Sequence, residues 1–233
     1  MALKAKQMKS QFKRPDPLEA GTYPARLVQV LTLGLQPQRP FKGEEKPPVD
    51  ELMVTYEFLD EFLTDEETGE ELLDKPRWLS EDFPFYPLSS DKAKSSKRYH
   101  AFDPKEEFDG DWSEILGDPC LVTIVQNPGK GANEGVIYEN VAGVSAMRGK
   151  DADKAEELKN PPKLFNIDEP DMEIFLSLPE WIQDKMKSNL NFEGSALERA
   201  IKNHKGSVDS GAPTKDEDQD EIPFDEDNEE VDW

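Results

Sequence analysis

Several features that many protein functions require are scarce or missing in this chain of 233 residues. A single cysteine, Cys120, excludes an internal disulfide framework and fits a reducing cytosol. Two histidines, His100 and His204, are too few for a structural zinc site. No run approaches about 18 consecutive apolar residues, and residues 1–14 lack the apolar core of a signal peptide. We therefore expect a soluble protein that is not exported by these routes.

Motifs for catalysis and for cofactor binding are also missing. Gly129-Lys130-Gly131 lacks the upstream glycine and the following Ser or Thr of a phosphate-binding loop, and Gly-x-Ser-x-Gly does not occur. Asp109-Gly110-Asp111 lacks the other ligands of a calcium loop. No carboxylate pair for acid–base chemistry stands out against 51 acidic residues. We expect no enzymatic activity, no cofactor and no bound metal.

Positive charge is scarce overall but concentrated near the start of the chain. There are 28 Lys and Arg residues against 51 Asp and Glu, a formal net charge of -23, and a field of this sign repels nucleic acids and anionic membranes. Residues 1–46 nevertheless hold nine bases and four acids, whereas residues 209–233 hold twelve acids and one lysine. This asymmetry indicates a polyanion site at one end and a regulatory or partner-binding tail at the other. A solvated basic leader is the alternative for the N-terminal charge.

Five segments have the apolar and β-branched composition of strands. They are residues 22–33, 51–59, 77–86, 120–126 and 135–146. In the second segment Leu52, Val54, Tyr56 and Phe58 share one face, which predicts that this face is buried and that Tyr56 belongs to the core. Residues 89–100 predict a short helix between the third and fourth strands, and the turn residues 127–134 predict a long hairpin loop before the fifth.

Five strands with a helical insertion before the last two are the pattern of the oligonucleotide/oligosaccharide-binding (OB) fold. We therefore predict a mainly β protein built on a five-stranded OB-fold barrel with short helical insertions, although a β-sandwich fits the strand count nearly as well. The predicted organisation is a basic flexible leader (1–17), the barrel domain (18–150), a linker and helical extension (151–206) and a disordered acidic tail (207–233).

The predicted extension contains an amphipathic helix within residues 172–189. Its apolar positions recur at intervals of three to four residues, and they are Phe175, Leu178, Ile182 and Met186. We expect this stripe to pack on the barrel, and the alternative is a surface for a partner.

Basic and aromatic side chains are adjacent at several points. A protein that binds single strands without reading sequence needs cations for the phosphates and rings on which bases stack, the stacking contributing about 1–3 kcal/mol per base. The predicted nucleic-acid-binding residues are Arg26, Arg39, Lys42, Arg77, Trp78, Lys94, Lys97, Arg98, Tyr99 and Lys130. In the alternative interpretation, the rings fill the barrel and the bases form an ordinary solvated surface.

The acidic end of the chain contains a short apolar island. Asp216-Glu217-Asp218-Gln219-Asp220-Glu221-Ile222-Pro223-Phe224 resembles the acidic tail of bacterial single-stranded DNA-binding proteins, which ends in Ile-Pro-Phe. Nine residues follow Phe224 here, so a partner that captures a free carboxylate on that residue would not recognise it. Residues 18–28, 33–36 and 54–58 look like the opening of bacteriophage single-stranded DNA-binding proteins with one OB domain.

This resemblance implies a protein that coats single-stranded DNA during phage replication, recombination or repair, in the cytoplasm of the infected bacterial host. We expect the tail to compete with DNA for the barrel groove. Its predicted partner-binding residues, for replication or recombination proteins, are Ile222, Pro223, Phe224 and Trp233. The alternative that the net charge favours is an acidic interaction module without DNA affinity, either a DNA mimic or a virion or assembly factor. A metal-dependent nuclease is the third hypothesis.

Overall fold

The computed structural model of the protein describes residues 15–40, 42–65 and 67–209, and strands dominate it. The strands are β1 (Gly21–Gln36), β2 (Val49–Thr64), β3 (Glu71–Pro84), β4 (Pro119–Pro128), β5 (Ile137–Ala146) and β6 (Lys163–Phe165). The helices are α1 (Lys94–Tyr99), α2 (Gly149–Ala152), α3 (Met172–Ser177), α4 (Glu180–Lys187) and α5 (Ala196–Asp209), with a 3₁₀ turn at Gly131–Asn133. The predicted mainly β class is confirmed.

The five long strands form an antiparallel sheet in the order β3-β2-β1-β4-β5, and the short β6 lies parallel to β1. The outer strands β3 and β5 do not pair with each other in the described part of the chain, so the sheet is open. The predicted closed OB-fold barrel is therefore not confirmed.

Side chains cross the gap between the two outer strands. Arg77 on β3 and Glu139 on β5 form an ion pair of 3.1 Å. The guanidinium of Arg98 on α1 donates to Glu81 on β3 and, at 3.4 Å, to the carbonyl oxygen of Val141 on β5. The predicted helical insertion thus bridges strands that backbone hydrogen bonds leave apart.

A bulge in β1 divides its buried residues between two cores. Val28 is the extra residue between Leu27 and Gln29, which pair with successive residues of β2. Because side chains alternate along a strand, one extra residue exchanges the two faces. Leu27 accordingly packs in the first core, whereas the odd-numbered Leu31 and Leu33 pack in the second.

The first core lies between the sheet and the segment from α1 to residue 116. It includes the four residues predicted for the buried face of β2, and they are Leu52, Val54, Tyr56 and Phe58. Tyr99, Trp112 and Ile115 cover it. The predictions of that buried face and of a core position for Tyr56 are confirmed.

The second core attaches the C-terminal extension to the sheet. It joins Leu31, Leu33 and Met53 to the apolar stripe of the extension, which is Phe175, Leu178, Ile182 and Met186. Full burial of each such side chain stabilises the fold by about 1.5–3 kcal/mol. The predicted packing of the stripe is confirmed. The single predicted helix is instead two helices, α3 and α4, and Pro179 lies at the break between them.

Parts of the predicted ends lie outside the described residues. These are the leader up to residue 14 and the acidic tail from residue 210, which carries the predicted partner-binding residues. Helix α5 extends to Asp209, three residues into the segment predicted as tail. Within residues 15–40, 42–65 and 67–209, no helix is long and apolar enough to cross a membrane.

Candidate nucleic-acid interface

The buried carboxylate of Glu81 holds the basic helix α1 against β3. Arg98 donates to both of its oxygens, at 2.6 and 3.1 Å, Lys94 Nζ lies 2.6 Å away, and the Tyr56 hydroxyl donates at 2.9 Å. Burial opposes the charge of Arg98, but hydrogen bonding and attraction by Glu81 outweigh it and raise the pKa of the guanidinium. Arg98 is therefore a structural ion-pair partner. The sequence-based prediction that it contacts a phosphate does not fit this position.

Tyr99 is also placed in the interior. Its side chain is 0 % exposed, its ring packs edge-on against Trp112 with centroids 5.5 Å apart, and its hydroxyl donates to Asp103 at 3.3 Å. Burial and the nearby charge of Asp103 raise the pKa of Tyr99 to about 12. The predicted stacking role does not fit this position, because a base cannot reach the ring while α1 is packed on the sheet.

Two of the predicted arginines are occupied by contacts within the fold. Arg26 donates to the carbonyl oxygens of Gly117, Ala155 and Glu156 at 2.8, 3.1 and 2.7 Å, and so ties the chain after β5 to β1. Arg77 donates to the carbonyl of Asp16 at 2.7 Å besides its ion pair with β5. Both are therefore positioned to fix neighbouring segments rather than to hold a phosphate.

The remaining predicted bases are exposed but not gathered at one point. Arg39 and Lys42 lie in the connection between β1 and β2, and Lys130 lies in the connection between β4 and β5. Since β1 and β4 are antiparallel, these two connections are at opposite ends of β1. Lys94 and Lys97, by contrast, lie within one helical turn on α1, where Lys97 is exposed and Lys94 is partly so.

Trp78 is the predicted aromatic residue that remains accessible, with 39 % of its surface exposed. Its indole N–H donates at 2.9 Å to the buried carboxylate of Glu57 on the neighbouring strand. The same carboxylate accepts from the backbone N–H of Lys159 at 2.6 Å and from the side-chain amide of Asn160 at 2.7 Å. This Glu57 clasp, meaning Glu57 with its three donors, fixes the ring of Trp78 and holds the extension on the sheet.

The sequence did not predict a cleft of about 430 Å³ that follows the end of β3. We call it the aromatic cleft. It is lined by Phe85, Tyr86, Pro87, Leu88, Ser95, Glu106, Asp109, Gly110 and Trp112. Phe85 and Tyr86 are partly exposed, whereas Trp112 is buried against Tyr99. The cleft therefore offers aromatic surface next to two carboxylates.

Both walls of the aromatic cleft are fixed by hydrogen bonds. On one side Ser95 Oγ accepts from the backbone N–H of Tyr86 at 3.1 Å and lies 3.3 Å from its carbonyl oxygen, which joins α1 to the aromatic segment. On the other side Asp103 accepts from the backbone N–H groups of Glu107 and Phe108, both at 2.9 Å. Burial opposes ionisation of Asp103, but these hydrogen bonds outweigh it and lower its pKa.

A signal for the cleft exists in the sequence. Pro84 and Pro87 flank Phe85-Tyr86, and proline has no N–H for a strand ladder. Two aromatic residues between such prolines lie beyond the end of the strand, where no neighbouring strand covers them. Ser95 then joins the basic helix α1 to this pair. The contribution of Glu106 and Asp109 has no comparable signal, because it depends on how a loop folds.

Comparisons with protein-family models, with curated proteins and with solved structures give no match to this chain. The geometry of the described residues, together with the sequence patterns, is therefore the basis for a functional interpretation.

Proposed function

We propose that the protein binds single-stranded DNA, and that Trp78, Phe85 and Tyr86 are the rings on which bases stack. The observation that carries this proposal is the placement of three partly exposed rings on β3 and its continuation, with the basic helix α1 joined to the backbone of Tyr86 through Ser95. Trp78 and Phe85 are seven positions apart along extended chain, roughly 23 Å at the rise of a strand. An odd spacing directs the two side chains to opposite faces of β3, which is an outer strand of the sheet, so a single strand that contacts both rings crosses this edge. A distance of this size suits several nucleotides, and OB folds bind about 4–16.

The net charge of -23 does not decide against such binding. At physiological ionic strength the Debye length is about 8 Å, so exposed acids farther away than this are largely screened. Stacking of two or three bases contributes about 1–3 kcal/mol each and does not depend on charge. The local arrangement of rings and lysines therefore governs affinity, and the overall charge reduces the rate of encounter with DNA.

We further propose that the open sheet is a variant of the OB fold, which is itself a partly open barrel. In support, the outer strands β3 and β5 are held together by the Arg77–Glu139 ion pair and by Arg98 of α1. The strand count and the helical insertion before the last two long strands also fit that fold.

On this proposal the protein protects single-stranded DNA during phage replication, recombination or repair in the bacterial cytoplasm, and no enzymatic turnover is required. The support is the sequence resemblance of residues 18–28, 33–36 and 54–58 and of the acidic end to such proteins. The acidic tail is proposed to compete with DNA for the same surface and, when displaced, to recruit replication or recombination proteins through Ile222, Pro223, Phe224 and Trp233.

Titration of a fluorescent oligo-dT and of a duplex of equal length tests the proposal. We expect binding of the single strand, with the logarithm of the affinity falling by about 0.7 per phosphate neutralised for each tenfold rise in salt, and much weaker binding of the duplex. Equal binding of both would contradict stacking on unpaired bases. Binding of neither would favour the acidic interaction module.

A further inference from the structure

We infer that the aromatic cleft selects bases with an exocyclic amino group, such as cytosine, over bases with a carbonyl oxygen at that position, such as uracil and thymine. This inference rests on the proposed function, since it requires a single strand to reach the cleft. It goes beyond that function because single-strand binding by stacking alone is tolerant of sequence.

The dimensions and the walls of the cleft suit one base. Its volume is about 430 Å³, within the roughly 300–1,000 Å³ of small-ligand sites. Phe85 and Tyr86 present partly exposed rings at its side, and the buried Trp112 lies at the opposite wall against the core. Rings in these positions supply stacking surface. The hydrogen bonds between Ser95 and Tyr86 and the packing of Trp112 on Tyr99 keep this surface in place without DNA.

The charged groups of the cleft are acceptors of hydrogen bonds, and they lie beside the Tyr86 hydroxyl and the Trp112 indole N–H, which can donate. Glu106 and Asp109 line it, and a carboxylate accepts hydrogen bonds but donates none. One oxygen of Glu106 lies 2.9 Å from His100 Nε2, which leaves the other oxygen for a ligand. Asp109 is exposed and makes no hydrogen bond or ion pair with any other residue that the structure describes. At least one carboxylate is therefore available to a bound molecule.

These acceptors discriminate between chemical groups of DNA. A phosphate is repelled by two carboxylates, so the backbone of a strand remains outside the cleft. The N4 amino group of cytosine donates a hydrogen bond, whereas O4 of uracil or thymine accepts one and faces the carboxylate without a proton between them. At the C4 position cytosine therefore gains a charge-assisted hydrogen bond to the carboxylate, whereas O4 of uracil is repelled by it.

The loop conformation permits a sharp test at Asp109. Its φ is 52°, in the left-handed region that glycine adopts without strain, so Asp109→Gly removes the carboxylate and retains the backbone. Glu107→Gln is the matched control, because Glu107 is an exposed acid of the same loop that does not line the cleft. Asp109→Asn is a second variant that keeps the side-chain volume and tolerates this φ.

The experiment compares the affinities of oligo-dC and oligo-dU of equal length, which differ at the C4 substituent. For the full-length protein we expect about tenfold tighter binding of oligo-dC, the factor that one charge-assisted hydrogen bond supplies. Asp109→Gly is expected to bring the ratio near one, Asp109→Asn to lower it, and Glu107→Gln to shift both affinities equally and retain the ratio. Phe85→Ala is expected to weaken binding of both.

Equal binding of the two oligomers by the wild type would overturn the inference and leave the proposed function standing. Failure to bind either oligomer, or oligo-dT, would overturn the proposed function itself. A tenfold ratio that survives in the double variant Glu106→Gln/Asp109→Gly would show that another site reads the base and would overturn the inference. If a lysine-rich peptide bound the wild type but not Asp109→Gly, with the oligomer ratio unchanged, the cleft would be a peptide site and the inference would be wrong.

Discussion

Arg77 and Glu139 join the two outer strands of an open sheet through an ion pair of 3.1 Å that is largely withdrawn from solvent, with 11 % and 21 % of the side chains exposed. Arg77 also donates to the carbonyl of Asp16, and Glu139 accepts from the backbone N–H of Leu18 at 2.6 Å. The pair therefore fixes the segment that precedes β1 as well as the two strands. It does so where backbone pairing between β3 and β5 is missing in the described chain.

Replacement of Arg77 by Ala is expected to lower the free energy of unfolding by about 2 kcal/mol. Breaking a fully buried pair costs about 3–5 kcal/mol, and the residual exposure of this pair reduces that cost. Urea denaturation monitored by circular dichroism measures the change. Lys105→Ala is the control, because the Lys105–Glu107 pair is exposed, has a separation of 3.6 Å and contributes at most about 0.5 kcal/mol. Equal effects of the two substitutions would mean that Arg77 does not hold the strands together.

Glu57→Gln is expected to loosen the extension from the sheet. Three donors converge on the Glu57 carboxylate, and a glutamine amide directs its own N–H groups at one of them. An unmatched buried donor costs about 1–3 kcal/mol. Hydrogen exchange at the backbone N–H of Lys159 is therefore expected to accelerate. Lys159→Ala keeps that N–H and is expected to leave the Trp78 environment unchanged; if it disturbed Trp78 as much as Glu57→Gln does, the clasp would not be the cause.

The stability of the protein is expected to fall between about pH 10 and pH 12. The pKa of Tyr99 rises from 10.0 to about 12 on folding, because the buried phenol resists ionisation. Because the pKa is higher in the folded protein, the neutral phenol contributes its full stabilisation at pH values below its pKa in the unfolded chain. This stabilisation is lost as the pH rises through the pKa in the folded protein. Burial raises the pKa values of Tyr56 and Cys120 in the same direction. Tyr99→Phe is expected to make the alkaline loss shallower in urea midpoints measured across this range, and an unchanged slope would contradict a buried Tyr99.

Removal of residues 210–233 is expected to tighten binding of oligo-dT at low salt and to have little effect at high salt, where charge is screened. The reason is that eleven of the twelve acids after residue 208 are removed with the proposed competitor. A variant in which the acids of residues 216–221 are replaced by the corresponding amides separates charge from chain length. If the truncated protein bound no better at low salt, competition by the tail would be refuted.

Local pattern was sufficient to predict the five long strands and the buried face of β2. The alternation from Leu52 to Phe58 and the stripe from Phe175 to Met186 each identify a surface that the fold buries. The three-residue β6 and the bulge at Val28 were not predicted, because both depend on which strands become neighbours. Closure of the barrel was not predictable for the same reason.

The candidate site also depends on long-range neighbours that local sequence does not specify. In sequence, Lys97-Arg98-Tyr99 places two cations beside a ring, which is typical of a stacking site. In the structure, Arg98 pairs with Glu81, seventeen residues earlier, and Tyr99 packs against Trp112. Exposure of a residue on a short helix depends on such long-range partners. Trp78 remains partly exposed although its indole N–H has a partner on β2.

Binding of single-stranded DNA on the rings of Trp78, Phe85 and Tyr86 is tested most directly by photocrosslinking of an oligonucleotide that carries 5-iodocytosine, followed by mass spectrometry of the crosslinked peptides. We expect crosslinks at Trp78 and at Phe85 or Tyr86, with the former lost in Trp78→Ala. Trp181 on α4 is the internal control, because 58 % of its surface is exposed and it lies outside the proposed interface. Crosslinks confined to Trp181, or the absence of crosslinks from β3 and the aromatic cleft, would show that single-stranded DNA does not bind on these rings.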